Sequence, residues 1–298
     1  MKKNIRIIPK LDIKGPNVVK GLCFDGYRVL GLPEFFALKY YNEGADELFF
    51  QDTVASLYKR NNLLEIVKKT AEKVMIPITV CGGVRSIEDV RELLRAGADK
   101  VAINTAAIKS PNLLKEASKT FGSQCIVSSI EAKKLENGKY EAWVDYGRQP
   151  TCVDVMDWSK KVVDLGVGEI FLSTIDNDGS GHGFDTELIN KISSSLPIPV
   201  IACSGAGIKE HFKKVIGKGK ADAVSAASIF HYHYAKKQEG PFMSYNKKDL
   251  RLGKQIDSGN IEFLNYGYGD FQEIQVNPCS IPELKEYLNN NKISIRKN

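Results

Sequence analysis

Short segments from the first half of the sequence return about 122 residues later in the second half. Residues 44–50 (GADELFF) correspond to residues 166–172 (GVGEIFL), and residues 76–83 (IPITVCGG) correspond to residues 198–205 (IPVIACSG). A third pair, residues 98–105 and 221–228, follows at an offset of 123. An internal repeat constrains architecture strongly because each copy must fold into an equivalent unit. We therefore expect two similar halves in one structure.

Apolar runs alternate with amphipathic segments along most of the chain, as is typical of βα units around a parallel sheet. The runs that predict strands are residues 5–8, 47–51, 78–80, 100–103, 125–129, 169–173, 200–202 and 223–225. The segments with apolar residues at helical spacing are 33–43, 63–73, 86–96, 112–120, 152–165, 186–195 and 209–217. Eight strands alternating with helices form a closed barrel. The sequence thus predicts an α/β fold, a (β/α)8 TIM barrel built from two half-barrels.

This pattern is interrupted near the end of the chain. Residues 232–279 are polar and contain many Gly, Lys and Tyr residues, with a possible strand at 261–265, so we expect an insertion there. Ser280 and Glu283 then have the spacing of a capping box, and a helical pattern follows at residues 284–288. A chain of 298 residues can form one large barrel without a second domain. We expect residues 1–298 to be a single domain with the insertion before its last helix.

Charge and cysteine content argue against several classes of protein. The net charge of +6 is spread over mixed segments, unlike the concentrated basic face of a nucleic-acid-binding protein. The basic start is interrupted before it reaches secretory length, and no run approaches the roughly 18 apolar residues of a membrane span. The six cysteines form no CxxC pair, which favours reduced thiols over disulfides or a zinc site. We expect a cytoplasmic protein that binds no membrane, nucleic acid, metal or other cofactor.

Two acidic residues follow predicted strands at near-equivalent positions in the two halves. Asp12 comes after the first strand and Glu131 after the fifth. Reactive groups of such barrels lie where strands end and loops begin. Opposed carboxyls in different environments can act as general acid and general base. Either residue could instead be an ordinary loop carboxylate or the partner of an ion pair.

Glycine-rich turns follow a strand in each half, and small or hydroxyl residues follow one βα unit later. The first set is Gly82, Gly83, Asn104 and Thr105, and the second is Ser204, Gly205, Ala227 and Ser228. Glycine lets the backbone approach a phosphate closely, while amides and hydroxyls donate hydrogen bonds. One such turn would usually be only a turn. Two copies in facing halves predict an elongated ligand with a phosphate at each end.

Residues 176–183 (DNDGSGHG) form a third candidate segment after a predicted strand. It resembles a calcium-binding loop, but the Glu at the twelfth position is missing. We expect a flexible loop in which Asp178 and Gly179 contact the second phosphate or the rest of the substrate. His182 could be catalytic, although a histidine between glycines is more often solvated.

Ordered motifs along the chain resemble those of one enzyme family. They are residues 7–12 (IIPKLD), 18–21 (VVKG), 44–47 (GADE), 82–86 (GGVRS), 98–101 (ADKV), 104–107 (NTAA), 121–125 (FGSQC) and 226–231 (AASIFH). They are similar to the cyclase subunit of imidazole glycerol phosphate synthase over about residues 4–231 and the last helix. The resemblance implies a lyase of histidine biosynthesis. It would use ammonia to convert a bis-phosphorylated aminoimidazole carboxamide ribonucleotide to imidazole glycerol phosphate and free aminoimidazole carboxamide ribonucleotide.

The resemblance also assigns roles to single residues. The catalytic pair of the family falls on Asp12 and Glu131. Its phosphate-binding positions fall on Gly83, Asn104 and Thr105 at one end and on Asp178, Gly179, Gly205, Ala227 and Ser228 at the other. Other positions that line its cavity fall on Lys20, Asp52, Gln124 and Ser173.

In that family the ammonia comes from a separate glutaminase subunit, a class I glutamine amidotransferase, at the opposite face of the barrel. A gate of four charged residues falls on Arg6, Glu47, Lys100 and Glu169, and Asp99 matches a residue that contacts the glutaminase. No cysteine of this chain lies in a nucleophile elbow. The resemblance therefore implies a partner subunit.

Three departures from the family leave alternatives open. Glu131 is longer than the usual aspartate, Lys10 stands where the family has a cysteine, and residues 232–279 have no usual counterpart. They favour a side branch in which the barrel supplies ammonia for an amidine on a bacterial surface-polysaccharide sugar. Asp12 favours the cyclase, since a conduit needs no acid–base pair. A different phosphate-binding barrel, such as the related sugar isomerase, or a non-catalytic scaffold is a third possibility, but the isomerase would not need the complete gate.

Overall fold

Eight parallel strands close into a barrel in the computed structural model, which describes residues 4–55, 63–237 and 275–296. The strands are β1 Arg6–Lys14, β2 Asn17–Leu22, β3 Asp25–Gly31, β4 Leu48–Asp52, β5 Ile78–Cys81, β6 Lys100–Ile103, β7 Ile126–Lys134, β8 Tyr140–Val144, β9 Gln149–Asp154, β10 Glu169–Thr174, β11 Val200–Cys203 and β12 Ala223–Ala226. The barrel consists of β1, β4, β5, β6, β7, β10, β11 and β12, and the β7–β10 and β12–β1 pairs complete the ring. The prediction of a (β/α)8 barrel is confirmed.

Helices surround this barrel, and the apolar side chains between helices and strands form the main core. They are α1 Pro33–Asn42, α2 Leu63–Ala71, α3 Ile87–Arg95, α4 Thr105–Lys109, α5 Asn112–Phe121, α6 Val155–Asp164, α7 Thr186–Ser195, α8 Lys209–Gly217, α9 Ser228–Lys237 and α10 Ile281–Asn290. Helix α6 begins three residues later than predicted because Asp154 caps it through the N–H groups of Met156 and Asp157. Within the described residues, no helix is long and apolar enough to cross a membrane.

Two hairpins at equivalent places in the halves extend the barrel beyond its rim, and the sequence analysis missed both. Strand β1 continues past the barrel to pair with β2, which pairs with β3. Strand β7 likewise continues to pair with β8, which pairs with β9. The predicted strands at residues 5–8 and 125–129 were therefore too short. Asp12 and Glu131 lie within β1 and β7 instead of after them, because the parallel pairing of the barrel itself runs to Ile13 in β1 and to Ala132 in β7.

Three aspartates join strands at the N-terminal face of the barrel. Asp46 accepts a hydrogen bond from the N–H of Ile7, Asp99 from that of Ile78, and Asp222 from that of Val200. Asp99 and Asp222 are equivalent in the repeat, so the two halves share this side-chain to backbone hydrogen bond as well as their strand pattern. A buried backbone donor needs a partner, and each aspartate supplies one where a strand begins.

The barrel interior holds a second apolar cluster. Phe49 and Phe171 occupy equivalent positions in the repeat, and their rings stack at a centroid distance of 3.7 Å. Both side chains are buried. The interior at this height is therefore a packed core, as is usual for TIM barrels.

The segment predicted as an insertion begins within α9, which runs to Lys237. At its other end, the N–H of Gln275 donates to the carbonyl of Ser180, and the N–H of Asn277 donates to that of Gly207. Helix α10 follows, with the predicted capping box between Ser280 and Glu283. The predicted strand at 261–265 lies outside the described residues, so the extent of the insertion stays a prediction.

Candidate active site

A cavity of about 400 Å³ opens at the carboxyl ends of strands β4 to β7. It contains six predicted site residues: Asp52, Gly82, Gly83, Asn104, Thr105 and Glu131. Its volume is in the range of small-molecule sites. The first glycine-rich turn, the residues that follow β6 and one of the two acidic residues therefore belong to a single site.

The first glycine turn has a backbone conformation that requires glycine. Gly82 and Gly83 have φ values of 119° and 77°, and a side chain at Gly82 would collide with Asp52. Helix α4 begins opposite this turn at Thr105. Arg85 and Lys109 also line the cavity, and the sequence analysis did not select them. The turn and the two cations form a wall that suits an anionic group.

Asp12 is a buried carboxylate with partners on both oxygens. Its Oδ1 atom lies 2.6 Å from Lys10 Nζ and accepts a 2.8 Å hydrogen bond from the Tyr146 hydroxyl. Its Oδ2 atom lies 3.3 Å from Lys20 Nζ. Burial alone would raise the pKa of Asp12, but the charges of Lys10 and Lys20 outweigh burial and hold that pKa well below its ordinary value. Asp12 is therefore ionised.

The pKa of Glu131 is shifted in the opposite direction to that of Asp12. Its side chain is buried, and its Oε2 atom accepts a 2.7 Å hydrogen bond from the N–H of Gly147. Burial raises the pKa of Glu131 to about 7, although the Gly147 bond and the charge of Lys10 oppose that rise. Near neutral pH Glu131 can carry a proton while Asp12 cannot. Two carboxyls with separated pKa values are the arrangement that acid–base catalysis needs.

One turn between β8 and β9 contacts both carboxyls. Tyr146 donates to Asp12, and the next residue, Gly147, donates to Glu131. Asp145, Tyr146 and Gly147 have φ values of 55°, 58° and 68°, so three successive residues are in the left-handed region. The sequence analysis missed this turn. Its sequence signal is the DYG segment between the short strands β8 and β9.

Two of the residues predicted for the second phosphate, Asp178 and Gly179, contact the β2–β3 hairpin. Asp178 pairs with Lys20 of that hairpin at 2.7 Å, and its carbonyl accepts a bond from the N–H of Cys23. A side chain at Gly179 would collide with the carbonyl of Gly21. The remaining members, Ser204, Gly205, Ala227 and Ser228, are also buried, with Gly205 at a φ of 92°. The hairpin thus covers this end of the barrel.

Ser173 lies in β10 opposite Glu131 and is buried near the site. Gln124 lies elsewhere. It is exposed in the turn Ser123–Cys125, which precedes β7 and therefore belongs to the opposite face of the barrel. It does not line the cavity, contrary to the prediction, because the turn comes before its strand and not after it. His182 is exposed, and its backbone N–H donates to Ser180 Oγ.

The four residues of the predicted gate form a closed ring of ion pairs at the N-terminal face. Arg6 pairs with Glu47 at 2.5 Å and also with Glu169. Lys100 pairs with the same two glutamates at 3.1 and 3.0 Å. Every charge in this ring has two partners of opposite sign. Within the described ranges, no group of three or more His, Cys, Asp or Glu residues could hold a metal ion.

Comparison with known proteins gives one consistent result. The family described as "Histidine biosynthesis protein" matches residues 6–236. The imidazole glycerol phosphate synthase subunit HisF of Legionella pneumophila is 56% identical over 209 residues, which cover 70% of this chain and 99% of the relative. HisF of Methanocaldococcus jannaschii is 50% identical over 246 residues, covering 76% and 90%. HisF of Natranaerobius thermophilus is 48% identical over 248 residues, covering 83% and 98%.

Proposed function

The chain belongs to the family of the cyclase subunit of imidazole glycerol phosphate synthase, an enzyme of histidine biosynthesis, and on that premise we propose how its own residues carry out the reaction. The reaction is that of a lyase. Ammonia replaces a carbonyl oxygen of the bis-phosphorylated aminoimidazole carboxamide ribonucleotide, and that oxygen leaves as water. The imidazole ring of imidazole glycerol phosphate then closes, and aminoimidazole carboxamide ribonucleotide is released as the second product.

The observation that carries this proposal is that one turn contacts both carboxyls, Asp12 through the Tyr146 hydroxyl and Glu131 through the N–H of Gly147. The surroundings of the two carboxyls shift their pKa values in opposite directions. Asp12 is the base, which accepts a proton from the ammonia nitrogen as it adds to the substrate carbonyl. Its Oδ2 atom is the better acceptor, since its contact with Lys20 is longer than either contact on Oδ1. Glu131 is the acid, which donates a proton to the oxygen that leaves as water. General acid–base catalysis by a positioned group contributes about 10²–10⁴-fold in rate.

The substrate lies across the barrel mouth with one phosphate at each end. The first phosphate contacts Gly83, Thr105 and the start of α4, where backbone N–H groups favour an anion. The second phosphate contacts Gly205 and Ser228. A sulfate or phosphate soak tests this arrangement, with anions expected at both places. Anions bound elsewhere would contradict it.

Ammonia comes from a class I glutamine amidotransferase that docks on the N-terminal face around the charged gate. The gate residues and Asp99 lie on that face, opposite the carboxyls. We also propose that residues 1–298 are one domain with residues 232–279 inserted, and that the enzyme works in the cytoplasm. Free thiols at all six cysteines fit such a reducing compartment.

Turnover by the purified chain with free ammonium and the bis-phosphorylated substrate tests the proposed reaction directly. We expect formation of imidazole glycerol phosphate without any partner, and rescue of a histidine auxotroph that lacks its own cyclase subunit. A folded protein that neither turns over the substrate nor rescues growth would contradict the proposal. The same protein would then be tested for amidine formation with surface-sugar substrates.

A further inference from the structure

Lys10 is a buried cation whose location the acid–base pair does not explain. It lies in β1, only 2% of its surface is exposed, and its Nζ atom is 2.6 Å from Asp12 Oδ1. A buried ammonium is costly unless it is paired. Asp12 is its ion-pair partner, yet Asp12 already has Lys20 as a second cationic neighbour. Lys10 therefore calls for a role beyond neutralising Asp12.

Two aromatic rings from two different turns also contact this ammonium. Lys10 Nζ lies 5.1 Å from the ring centroid of Phe24 and 5.3 Å from that of Tyr146. The two rings are themselves 4.5 Å apart. Phe24 belongs to the turn between β2 and β3, and Tyr146 to the turn between β8 and β9. Lys10 is thus a common contact of both hairpins.

Both turns hold their aromatic residue in an unfavourable backbone conformation. Phe24 has a φ of 64° and Tyr146 a φ of 58°, in the left-handed region that bulky side chains rarely occupy. Such conformations persist only where surrounding contacts compensate for them, and they concentrate at functional sites. The cation–π contacts with Lys10 supply such compensation at both places.

Lys10 and Lys20 lie on different structural elements. Lys20 lies on β2, part of the hairpin that covers the second phosphate site, and it is shared between Asp12 and Asp178. Any movement of that hairpin would also move Lys20. Lys10 lies on β1, a strand of the barrel itself. Its position beside Asp12 therefore does not depend on the hairpin.

We propose that Lys10 is a positioning residue that fixes the Asp12 carboxylate and holds the β2–β3 and β8–β9 turns closed over it. The proposal rests on the proposed cyclase function for the role of Asp12, while the closing of the turns stands on the contacts alone. Lys10 touches no reacting atom in this role. It acts through Asp12, Phe24 and Tyr146.

Hydrogen exchange tests the closing of the turns without any need for turnover. Lys10→Met keeps much of the side-chain volume and removes the charge, so amides of residues 17–31 and 145–147 should exchange about tenfold faster or more. Lys14→Met is the matched control, because Lys14 also lies on β1 and contacts Tyr27 of the same hairpin. It should change exchange much less. Equal exchange in the wild type and Lys10→Met would overturn the proposal.

The pH profile of turnover with free ammonium tests whether Lys10 acts on the Asp12 carboxylate. The ionisable groups around Asp12 are Lys10, Lys20, Tyr27, Tyr146, Asp178, Cys203 and His231. Loss of the Lys10 charge should raise the pKa of Asp12, so kcat/KM of Lys10→Met should fall on the acid side where the wild type does not. Lys10→Arg should restore the wild-type profile. An unchanged acid side in Lys10→Met would refute the action on Asp12.

Failure of the proposed cyclase function and failure of the proposed role of Lys10 give different results. If the wild type does not turn over the substrate, the proposed function fails, while the exchange experiment still decides the role of Lys10 in the turns. If Lys10→Met does not fold, Phe24→Leu replaces it, because it removes one ring from Lys10 and leaves the buried charges in place. Faster exchange of residues 145–147 in Phe24→Leu would support the proposal, and unchanged exchange there would overturn it.

Discussion

Glu131→Gln should stabilise the protein in alkaline solution and leave it nearly unchanged in acid. Burial raises the pKa of Glu131 from 4.5 to about 7. The folded state therefore holds its proton more tightly than the unfolded state. Stability from this group is fully present below pH 4.5 and is lost as the pH rises through about 7. Above that pH the folded protein contains a buried carboxylate, which an amide of similar shape avoids.

The magnitude follows from the two pKa values. One pKa unit corresponds to about 1.4 kcal/mol, so a difference of about 2.5 gives roughly 3 kcal/mol between the two limits. Most of it, about 2–3 kcal/mol, should develop between about pH 5 and pH 8.5. The side-chain amide oxygen that Glu131→Gln introduces can still accept the bond from the N–H of Gly147, so the turn should stay in place.

Urea unfolding of the wild type and Glu131→Gln at several pH values measures this difference. Other groups titrate in both proteins, Asp12 and His231 among them, and their contributions cancel in the comparison. Glu136→Gln removes the same charge from an exposed turn and is the control for the change of charge alone. A free-energy gap between the wild type and Glu131→Gln that is the same at both pH limits would refute the reasoning.

Three further predictions concern activity. Asp12→Asn should lower kcat with free ammonium by about 10²–10⁴-fold. Substrate binding, measured by calorimetry, should stay nearly intact because the phosphates are held elsewhere. An unchanged kcat would remove Asp12 from the mechanism. Lys100→Ala should impair glutamine-dependent turnover and spare ammonium-dependent turnover, because it opens the gate far from the carboxyls; loss of both activities would indicate misfolding. Asp99→Asn should weaken binding of the glutaminase, whereas Asp222→Asn, which alters the same kind of strand bond in the other half, should not; equal effects would mean that the loss comes from the strand bond.

Much of the barrel was predictable because the internal repeat gives the same pattern of strands and helices in both halves of the sequence. Each predicted barrel strand is present, and the first glycine turn and Glu131 share one cavity, since strand ends of a parallel barrel meet at one face. The hairpins were missed because their strands are short, and β3 and β9 are largely exposed or half-buried, without a clear alternation. The turn at residues 145–147 depends on left-handed backbone that only tertiary contacts stabilise. Sequence spacing cannot reveal such a turn.

Gln124 illustrates another limit. Its motif matched a family pattern for the cavity, whereas the strand predicted at residues 125–129 already placed Gln124 before a strand, at the opposite face of the barrel. The pKa contrast between Asp12 and Glu131, unlike the location of Gln124, was beyond the sequence. It depends on the charge of Lys10, on Lys20 and Tyr146, which reach Asp12 from separate hairpins, and on the burial of Glu131.

The stacked rings of Phe49 and Phe171 bear on how fast a small molecule can travel along the barrel axis. Each ring comes two residues after a gate glutamate, Phe49 after Glu47 and Phe171 after Glu169. Phe171 also comes two residues before Ser173, which pairs with Glu131. Centroids 3.7 Å apart leave no room for ammonia between the ring faces. In an interior packed as densely as a crystal, a ring can rotate aside only when its neighbours move. Passage then takes place in separate, thermally activated events, and its rate should depend on temperature far more steeply than diffusion through a water-filled pore.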